Sequence, residues 1–335
     1  MQLPMRSVEP EPTRLLREHP GIVDVGRILA SMPLVVTGTV GIDTIHTPAA
    51  NVEGVAGGSA AYFAAAASLL GPVRLVAAVG GDWPEEHRRI LTGFPNVCAK
   101  GLEVRPQSRT FAWGGRYFEN LNRRETLFTE LGVLEEPPPP VPAEYADSRY
   151  VFLANTHPAV QRQLLAGFPN RALAVADTMD LWINIARDDL LGLFKELDGV
   201  ILNDEEATLL TEIPNAVSAA RAIVEMGPSF VVVKKGEHGA VLVHGEGVAT
   251  VPAFPAPLDR VVDPTGAGDT FAGGMMAHIA KCDRTDLETL QSALAWGTVM
   301  ASHTIESFGL DGIRAIDDSA LQSRLEAFRR AARIA

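Results

Sequence analysis

The chain reads as an α/β protein built on a parallel sheet with a small separate β element, and three observations predict it. From Arg149 onward, short apolar runs of buried-strand type (Arg149 to Ala154, Leu173 to Ala176, Gly199 to Leu202 and Phe230 to Lys234) are separated by helical stretches, the rhythm of strand–helix crossovers. A glycine-rich turn, Asp263-Pro264-Thr265-Gly266-Ala267-Gly268-Asp269-Thr270, opens into a helix from Phe271 to Ile279. Two aromatic-rich stretches, Thr110 to Phe118 and Thr126 to Leu131, flank a turn at Glu119-Asn120-Leu121-Asn122 and read as a β-hairpin outside the alternation.

Composition bounds the answer. With 335 residues, 47% of them apolar, the chain can bury a large core, arranged either as one α/β domain with an insertion or as two domains. Lys and Arg number 29 against 41 Asp and Glu, and the net charge of −12 gives no electrostatic reason to expect nucleic acid or an anionic membrane as partner. Cys98 and Cys282 are the two cysteines and stand far apart, so neither a disulfide framework nor a zinc site is expected, and a reducing cytoplasm fits. No stretch approaches the ~20 apolar residues of a membrane span. Residues 1–31 mix Arg6, Arg14 and Arg17 with Glu9, Glu11, Glu18 and Asp24 and lack the apolar core of a signal peptide. They read as an N-terminal extension.

Taken in order, Leu34 to Gly38 is the first buried strand. Only Gly38 and Gly41 follow the pattern of glycines there, so no GxGxxG dinucleotide fingerprint is present. Asp43 precedes a β-like stretch, Thr44 to Thr47, and by itself reads as a turn residue. Gly54 to Gly58 is a glycine-rich turn ahead of an alanine-rich helix, Ser59 to Leu70, whose small side chains permit close packing. Val73 to Val79 is a strand closing on Gly80-Gly81-Asp82, and Pro84 suits the first turn of a helix through Gly93. Arg123 and Arg124 read as a solvated pair at the hairpin tip. Pro137 to Pro140 is a stiff extended linker back to the sheet. Asn203 ends a strand and opens a helix, where it can cap while Glu206 completes a capping box. Lys235-Gly236-Glu237-His238-Gly239 reads as a hairpin turn before Ala240 to His244. Leu287 to Ala301 and Leu321 to Ala332 are two further helices, the last amphipathic.

The chemistry gathers at the glycine-rich turn. Gly266 and Gly268 leave no Cβ in the way, so consecutive N–H groups can converge on one external point, and the following helix adds its positive dipole end and unpaired N–H groups. That point suits a phosphate. Asp269 in the first turn is either a dipole partner or a functional carboxylate; an anion beside a phosphate cradle is repulsive unless it takes a proton from an attacking hydroxyl or helps hold a metal. The combination points to phosphoryl transfer. No Walker-type GxxxxGK[ST] is present.

The eight residues 263–270 resemble the C-terminal signature of the ribokinase family, the PfkB carbohydrate kinases, in which Asp-x-x-Gly-Ala-Gly-Asp carries the anion hole and catalytic base. The resemblance runs in pieces from about Leu34 to the C-terminus. It implies a ribokinase-like three-layer α/β/α sandwich with a small β-sheet lid: an extension at 1–31, a kinase domain at 32–335, and lid segments at about 43–56 and 108–132. Gly266, Ala267 and Gly268 then form the anion hole and Asp269 is the base. Asp43 bonds substrate hydroxyls, and Gly57 and Gly58 form a hinge and substrate-binding turn. Tyr62 stands where many relatives carry Asn and gives the substrate pocket an aromatic face and an O–H. Asn203 and Glu206 arrange magnesium and its waters. Lys235, Gly236 and Gly239 belong to the ATP site, and Thr265 with Asp263 can offer oxygens to a monovalent cation such as K+. Asp177-Thr178-Met179-Asp180-Leu181 departs from the Asp-x-Asn-x-Arg of many relatives and leaves the substrate class open. The implied reaction is ATP- and Mg2+-dependent phosphorylation of a hydroxyl, a hydroxymethyl in particular, of a sugar or sugar-like molecule. A nucleoside is the alternative acceptor, with Tyr62, Trp113, Tyr117 and Phe118 either stacking on its base or forming hairpin core. A non-catalytic metabolite-binding protein of the same fold is the third reading. An exposed apolar face on the lid would let two subunits pair.

Overall fold

Strands covered by helices on both faces have no polar side to show, so they read as unbroken apolar runs, and such runs form the middle of the larger sheet. The computed structural model describes residues 34–333; the N-terminal extension read from the sequence lies outside the described residues. The strands are β1 (Leu34–Thr37), β2 (Gly41–His46), β3 (Asn51–Gly57), β4 (Val73–Gly80), β5 (Val97–Arg105), β6 (Phe111–Tyr117), β7 (Arg124–Glu130), β8 (Tyr150–Leu153), β9 (Leu173–Ala176), β10 (Gly199–Asn203), β11 (Phe230–Lys234), β12 (Ala240–His244) and β13 (Gly247–Val251). Nine of them form one sheet in the order β13-β12-β11-β10-β9-β8-β1-β4-β5. It is parallel from β11 to β5, and β12 and β13 close one edge antiparallel.

The helices are α1 (Ser59–Ser68), α2 (Glu85–Thr92), α3 (Pro158–Leu165), α4 (Asp180–Ile185), α5 (Arg187–Phe194), α6 (Asp204–Thr211), α7 (Ala216–Val224), α8 (Ala267–Cys282), α9 (Leu287–Thr304), α10 (Asp311–Arg314) and α11 (Asp318–Ala332). Strand alternation divides them into two layers. Val36, Phe152, Val175, Ile201, Phe230 and Val232 pack with α1, α8, α9 and α11 on one face; Val35, Val151, Leu153, Val200, Val231 and Val233 pack with α3, α5, α6 and α7 on the other. The result is the three-layer α/β/α sandwich. No helix among the described residues is long and apolar enough to cross a membrane.

The first layer is tight because α8 meets its neighbours backbone to backbone. A Cβ on Gly273 would lie 2.5 Å from the carbonyl oxygen of Phe63 in α1, and one on Gly297 of α9 would lie 2.7 Å from that of Phe271.

The remaining strands form a separate sheet, β3-β2-β6-β7, in which β2 pairs antiparallel with β3 and parallel with β6. Its attachment to the main sheet runs through Asp82, which accepts hydrogen bonds from the N–H and hydroxyl of Thr110, both at 2.7 Å, while the Thr110 hydroxyl accepts from the Gly80 N–H at 2.9 Å. Two strands were not anticipated from the apolar pattern. β5 and β13 are edge strands with mixed or alternating exposure, so they lack the continuous apolar run that marks a buried strand. Asp43 also lies inside a strand, β2, which starts at Gly41 rather than Thr44.

Gly273→Ala tests the close helix packing. The gain in helix propensity, ~1 kcal/mol, is outweighed because the new methyl meets rigid backbone, and overpacking of this kind costs ~1–3 kcal/mol. Denaturant unfolding should show a net loss of stability, whereas Gly245→Ala, where a Cβ meets nothing within 4 Å, should stay within about 0.5 kcal/mol of the parent.

Candidate active site

The mouth of α8 is built to stay open. Gly266 precedes the helix in the left-handed conformation, φ 75°, and a Cβ there would lie 2.3 Å from the ring of Tyr62, which is buried beneath the turn. Only glycine combines that backbone with that contact. The Thr270 hydroxyl donates to the carbonyls of Gly266 and Ala267, each at 3.0 Å, and accepts from the Thr304 hydroxyl of α9 at 3.0 Å, which fixes the turn to the core. The N–H groups of Gly266 and Gly268 have no protein partner among the described residues, while that of Asp269 bonds its own carboxylate. Ala267 departs from expectation: its N–H donates to the Pro264 carbonyl at 3.2 Å and so serves the turn instead of an anion. The positive end of a 16-residue helix therefore faces outward with free donors.

Carboxylates surround this pocket. Asp269 is half-buried at the helix start, and burial pushes it up to about 6, against the lowering charges of Lys234 and then Arg124. Asp263, fully buried, is likewise raised to about 6 by burial, with the Thr265 N–H donating to its Oδ1 at 2.8 Å. Asp43 is raised further, to about 8, by burial and then by the charges of Asp263 and Asp269, while the Gly58 N–H bonds to it and pulls the other way. At neutral pH Asp269 is thus mostly ionised and able to take a proton, and Asp43 is mostly a neutral acid able to donate one hydrogen bond.

The glycines at 57 and 58 serve Asp43. A Cβ on Gly57 would lie 1.9 Å from Asp43 Oδ2, and one on Gly58 (φ 96°) would lie 2.6 Å from the Thr39 carbonyl oxygen. Helix α1 has no capping side chain of its own; Thr39 fills the gap from the loop after β1, its hydroxyl accepting from Ser59 N–H at 2.8 Å and its carbonyl from Ala60 N–H at 2.9 Å. Tyr62, in the same helix, has a buried hydroxyl without a partner among the described residues.

At the β10–α6 junction the capping box is complete: Asn203 N–H donates to Glu206 Oε2 at 2.8 Å and Glu206 N–H donates to Asn203 Oδ1 at 2.7 Å. The cap uses one of the two lone pairs on Asn203 Oδ1, and the Nδ2 group only donates. Glu206 keeps its second oxygen, and burial raises its pKa against the lowering charge of Lys234. Among the described residues no three His, Cys, Asp or Glu side chains converge to cage a metal alone. Thr265 is also engaged internally, its hydroxyl bonded to that of Tyr117 at 3.2 Å. In the β11–β12 turn, Gly239 has a backbone reason of its own, since a Cβ would lie 2.0 Å from the Val251 carbonyl oxygen. Gly236 (φ 51°) approaches Asn122 at the tip of the β6–β7 hairpin, whose Nδ2 donates to Glu237 Oε1 at 2.8 Å. Lys235 is half-buried and its N–H closes the turn on the Gly239 carbonyl at 2.8 Å.

Known proteins share this arrangement. Residues 170–314 match the model of the pfkB family carbohydrate kinases. A cytidine kinase of Thermococcus kodakarensis is 32% identical over 281 residues, covering 79% of this chain and 98% of the relative. The chain belongs to the pfkB family of carbohydrate kinases. Solved structures carry the same fold at low identity. A nucleoside kinase of Methanocaldococcus jannaschii superposes with a TM-score of 0.70 at 19% identity, over 89% of this chain and 99% of the other. An E. coli structure assigned as a ribokinase II, in complex with ATP and Mg2+, superposes with a TM-score of 0.69 at 18% identity, over 89% and 99%.

Three features of this kinase bear on the site beyond what their local sequence pattern showed. Lys234, not Lys235, bears on the site: a Cβ on Gly268 would lie 2.6 Å from its Nζ, and its charge lowers the pKa of Asp177, Glu206 and Asp269 alike. Strand parity was the available signal, since Phe230 and Val232 face the α8 layer and Lys234 continues that series. Arg124 is exposed at the hairpin yet stacks on Trp113, its guanidinium 5.4 Å from the ring centroid, and its charge reaches Asp269 and Glu206. Finally, the ends of β8 and β9 present a polar wall in which Thr156, Asp177 and Thr178 each have a buried oxygen without a partner among the described residues. Beside it Trp182 Nε1 donates to Asn155 Oδ1 at 2.8 Å, and Asn155 Nδ2 meets Met179 Sδ at 3.1 Å.

Two outcomes follow from this geometry. Since burial raises Asp269 and a base must be ionised, kcat/KM should fall as pH drops through about 6; a flat profile from pH 7.5 to 5 would remove Asp269 as the base. Gly57→Ala displaces the Asp43 carboxylate and should raise KM for the acceptor by roughly tenfold, ~1.4 kcal/mol, with the melting temperature little changed; an unaltered KM would separate Asp43 from acceptor binding.

Proposed function

We propose that this kinase transfers the γ-phosphoryl group of ATP to the hydroxymethyl group of a ribose-type sugar, with a nucleoside as the favoured acceptor. The observation that carries the reaction is the open mouth of α8, where the unpartnered N–H groups of Gly266 and Gly268 lie beside the Asp269 carboxylate. The acceptor oxygen attacks the γ-phosphorus while Asp269 takes its proton; the bond to the β-phosphate oxygen breaks and ADP carries away the electron pair. The amides stabilise charge on the equatorial oxygens of the transferring group. Asp43, held by Gly57 and Gly58, orients the acceptor.

Glu206 suits magnesium in the indirect way that ion prefers, through its waters, because one carboxylate oxygen remains available and no direct cage exists among the described residues. Bound with the nucleotide, Mg2+ would neutralise charge between the phosphates. Asp263 Oδ2, buried without a partner, suits a monovalent cation such as K+ behind the anion pocket. The four-stranded sheet, with segments about 43–56 and 108–132, would act as a lid that excludes water from the transfer. Phe118, Leu127 and Phe128 are each 38% exposed on that sheet and offer an apolar surface for a second subunit.

The nucleoside preference is supported by the relative matched over 98% of its length, a cytidine kinase. A free sugar remains the second reading, favoured by Asp43 and the polar wall at Thr156, Asp177 and Thr178, which suit a molecule made of hydroxyls. An ADP-release assay with ATP, Mg2+ and a panel of cytidine, adenosine, inosine, ribose and fructose separates them: turnover highest with a nucleoside is expected, and turnover with sugars alone would overturn the preference. In the same assay Asp269→Asn should lower kcat by roughly 10²–10⁴-fold with the fold and nucleotide binding retained, and near-parental kcat would refute the base.

A further inference from the structure

We propose that Lys234 is a further catalytic residue of this kinase, the cation that meets the transferring phosphoryl group opposite the backbone donors of α8. The proposal rests on the reading that the Gly266–Gly268 turn holds the γ-phosphate. Lys234 ends β11 in register with Asn203 of β10, on the sheet face that packs against α8. Its Nζ stands against the side of Gly268 that lacks a Cβ, 2.6 Å from where that atom would be. The ammonium therefore lies beside Gly268, whose N–H has no protein partner among the described residues.

The lysine is not explained as a structural counterion. It is half-buried, and no carboxylate lies within ion-pairing distance of it among the described residues. Its charge nevertheless reaches Asp177, Glu206 and Asp269. An ammonium whose charge bears on three carboxylates without pairing with any of them is left to meet a further anion at the helix mouth. Phosphoryl transfer spreads negative charge over the three equatorial oxygens of the migrating group, where a fixed cation in a water-poor cleft is worth far more than in solution. A point charge with three rotatable donors can follow that group from ATP to the acceptor. The only proton that moves is the acceptor's, to Asp269. The same charge keeps Asp269 ionised near neutral pH and offsets its repulsion from the incoming phosphate.

The test compares Lys234→Met and Lys234→Gln with the parent in steady-state turnover and in calorimetric binding of ADP and of AMP-PNP, each with Mg2+. A contact to the γ-group predicts kcat lower by roughly 10²-fold or more, AMP-PNP affinity weakened roughly tenfold, and ADP affinity changed less than about twofold, in whichever of the two variants keeps the parental melting profile. Lys234→Arg, which restores a cation, should recover part of kcat. The proposal is overturned if kcat stays within about threefold of the parent, or if ADP and AMP-PNP lose affinity equally, which would place the lysine on the inner phosphates or on the shape of the pocket. Parental turnover with an unaffected variant removes only Lys234; a parent that neither turns over ATP nor binds AMP-PNP removes the kinase reading and this role with it.

Discussion

The N-terminus of α8 must stay open to an anion while the rest of the same helix is locked into the core. Most helix ends satisfy their first N–H groups with a side-chain cap or water. Here the cap position is a left-handed glycine over the ring of Tyr62, with no side chain to fold back over the donors. The rigidity that a cap would have supplied comes from elsewhere: Thr270 grips the turn from inside and is gripped by Thr304 of α9. One turn further on, Gly273 brings α8 into backbone contact with α1, the helix that carries Tyr62. Anion pocket and acceptor side are therefore positioned by the same packed layer, and neither can shift alone.

Electrostatics is the second consequence. Asp43, Asp177, Asp263, Asp269 and Glu206 all have their pKa raised, in each case chiefly by burial. Isolated in water each would be fully ionised at neutral pH; here burial raises all five, and the charge of neighbouring carboxylates adds to the rise at Asp43, Asp177 and Glu206. Asp269 stays more acidic than Asp43 because the charges of Lys234 and Arg124 bear on it, whereas no cation offsets the rise at Asp43. One acid is set to accept a proton and the other to donate a hydrogen bond, a division of labour made by position alone.

The small sheet ties into this arrangement at three points. Asp82 and Thr110 hold its root, Tyr117 bonds Thr265 beside the anion turn, and Asn122 reaches Glu237 in the β11–β12 turn. The hairpin thereby spans from the acceptor side to the opposite rim, and it carries Arg124 to a place where its charge bears on Asp269. Arg124 stacks on Trp113 and also bears on the Tyr117 hydroxyl.

Local pattern determined much of this protein. The apolar runs of β1, β4 and β8 to β12, the glycine turn before α8, the aromatic hairpin and the capping box at Asn203 and Glu206 were legible because each depends on residues adjacent in the chain. The edge strands β5 and β13 were not, since an edge half-open to water has no apolar signature. Only the tertiary structure decided which residues share the site. It chose Lys234 over Lys235 by strand parity, engaged Ala267, Asn203 and Thr265 in internal bonds, and brought Arg124 and the polar wall at Thr156, Asp177 and Thr178 toward the carboxylates. Those choices depend on burial and on contacts between segments dozens of residues apart, quantities that no window of sequence contains.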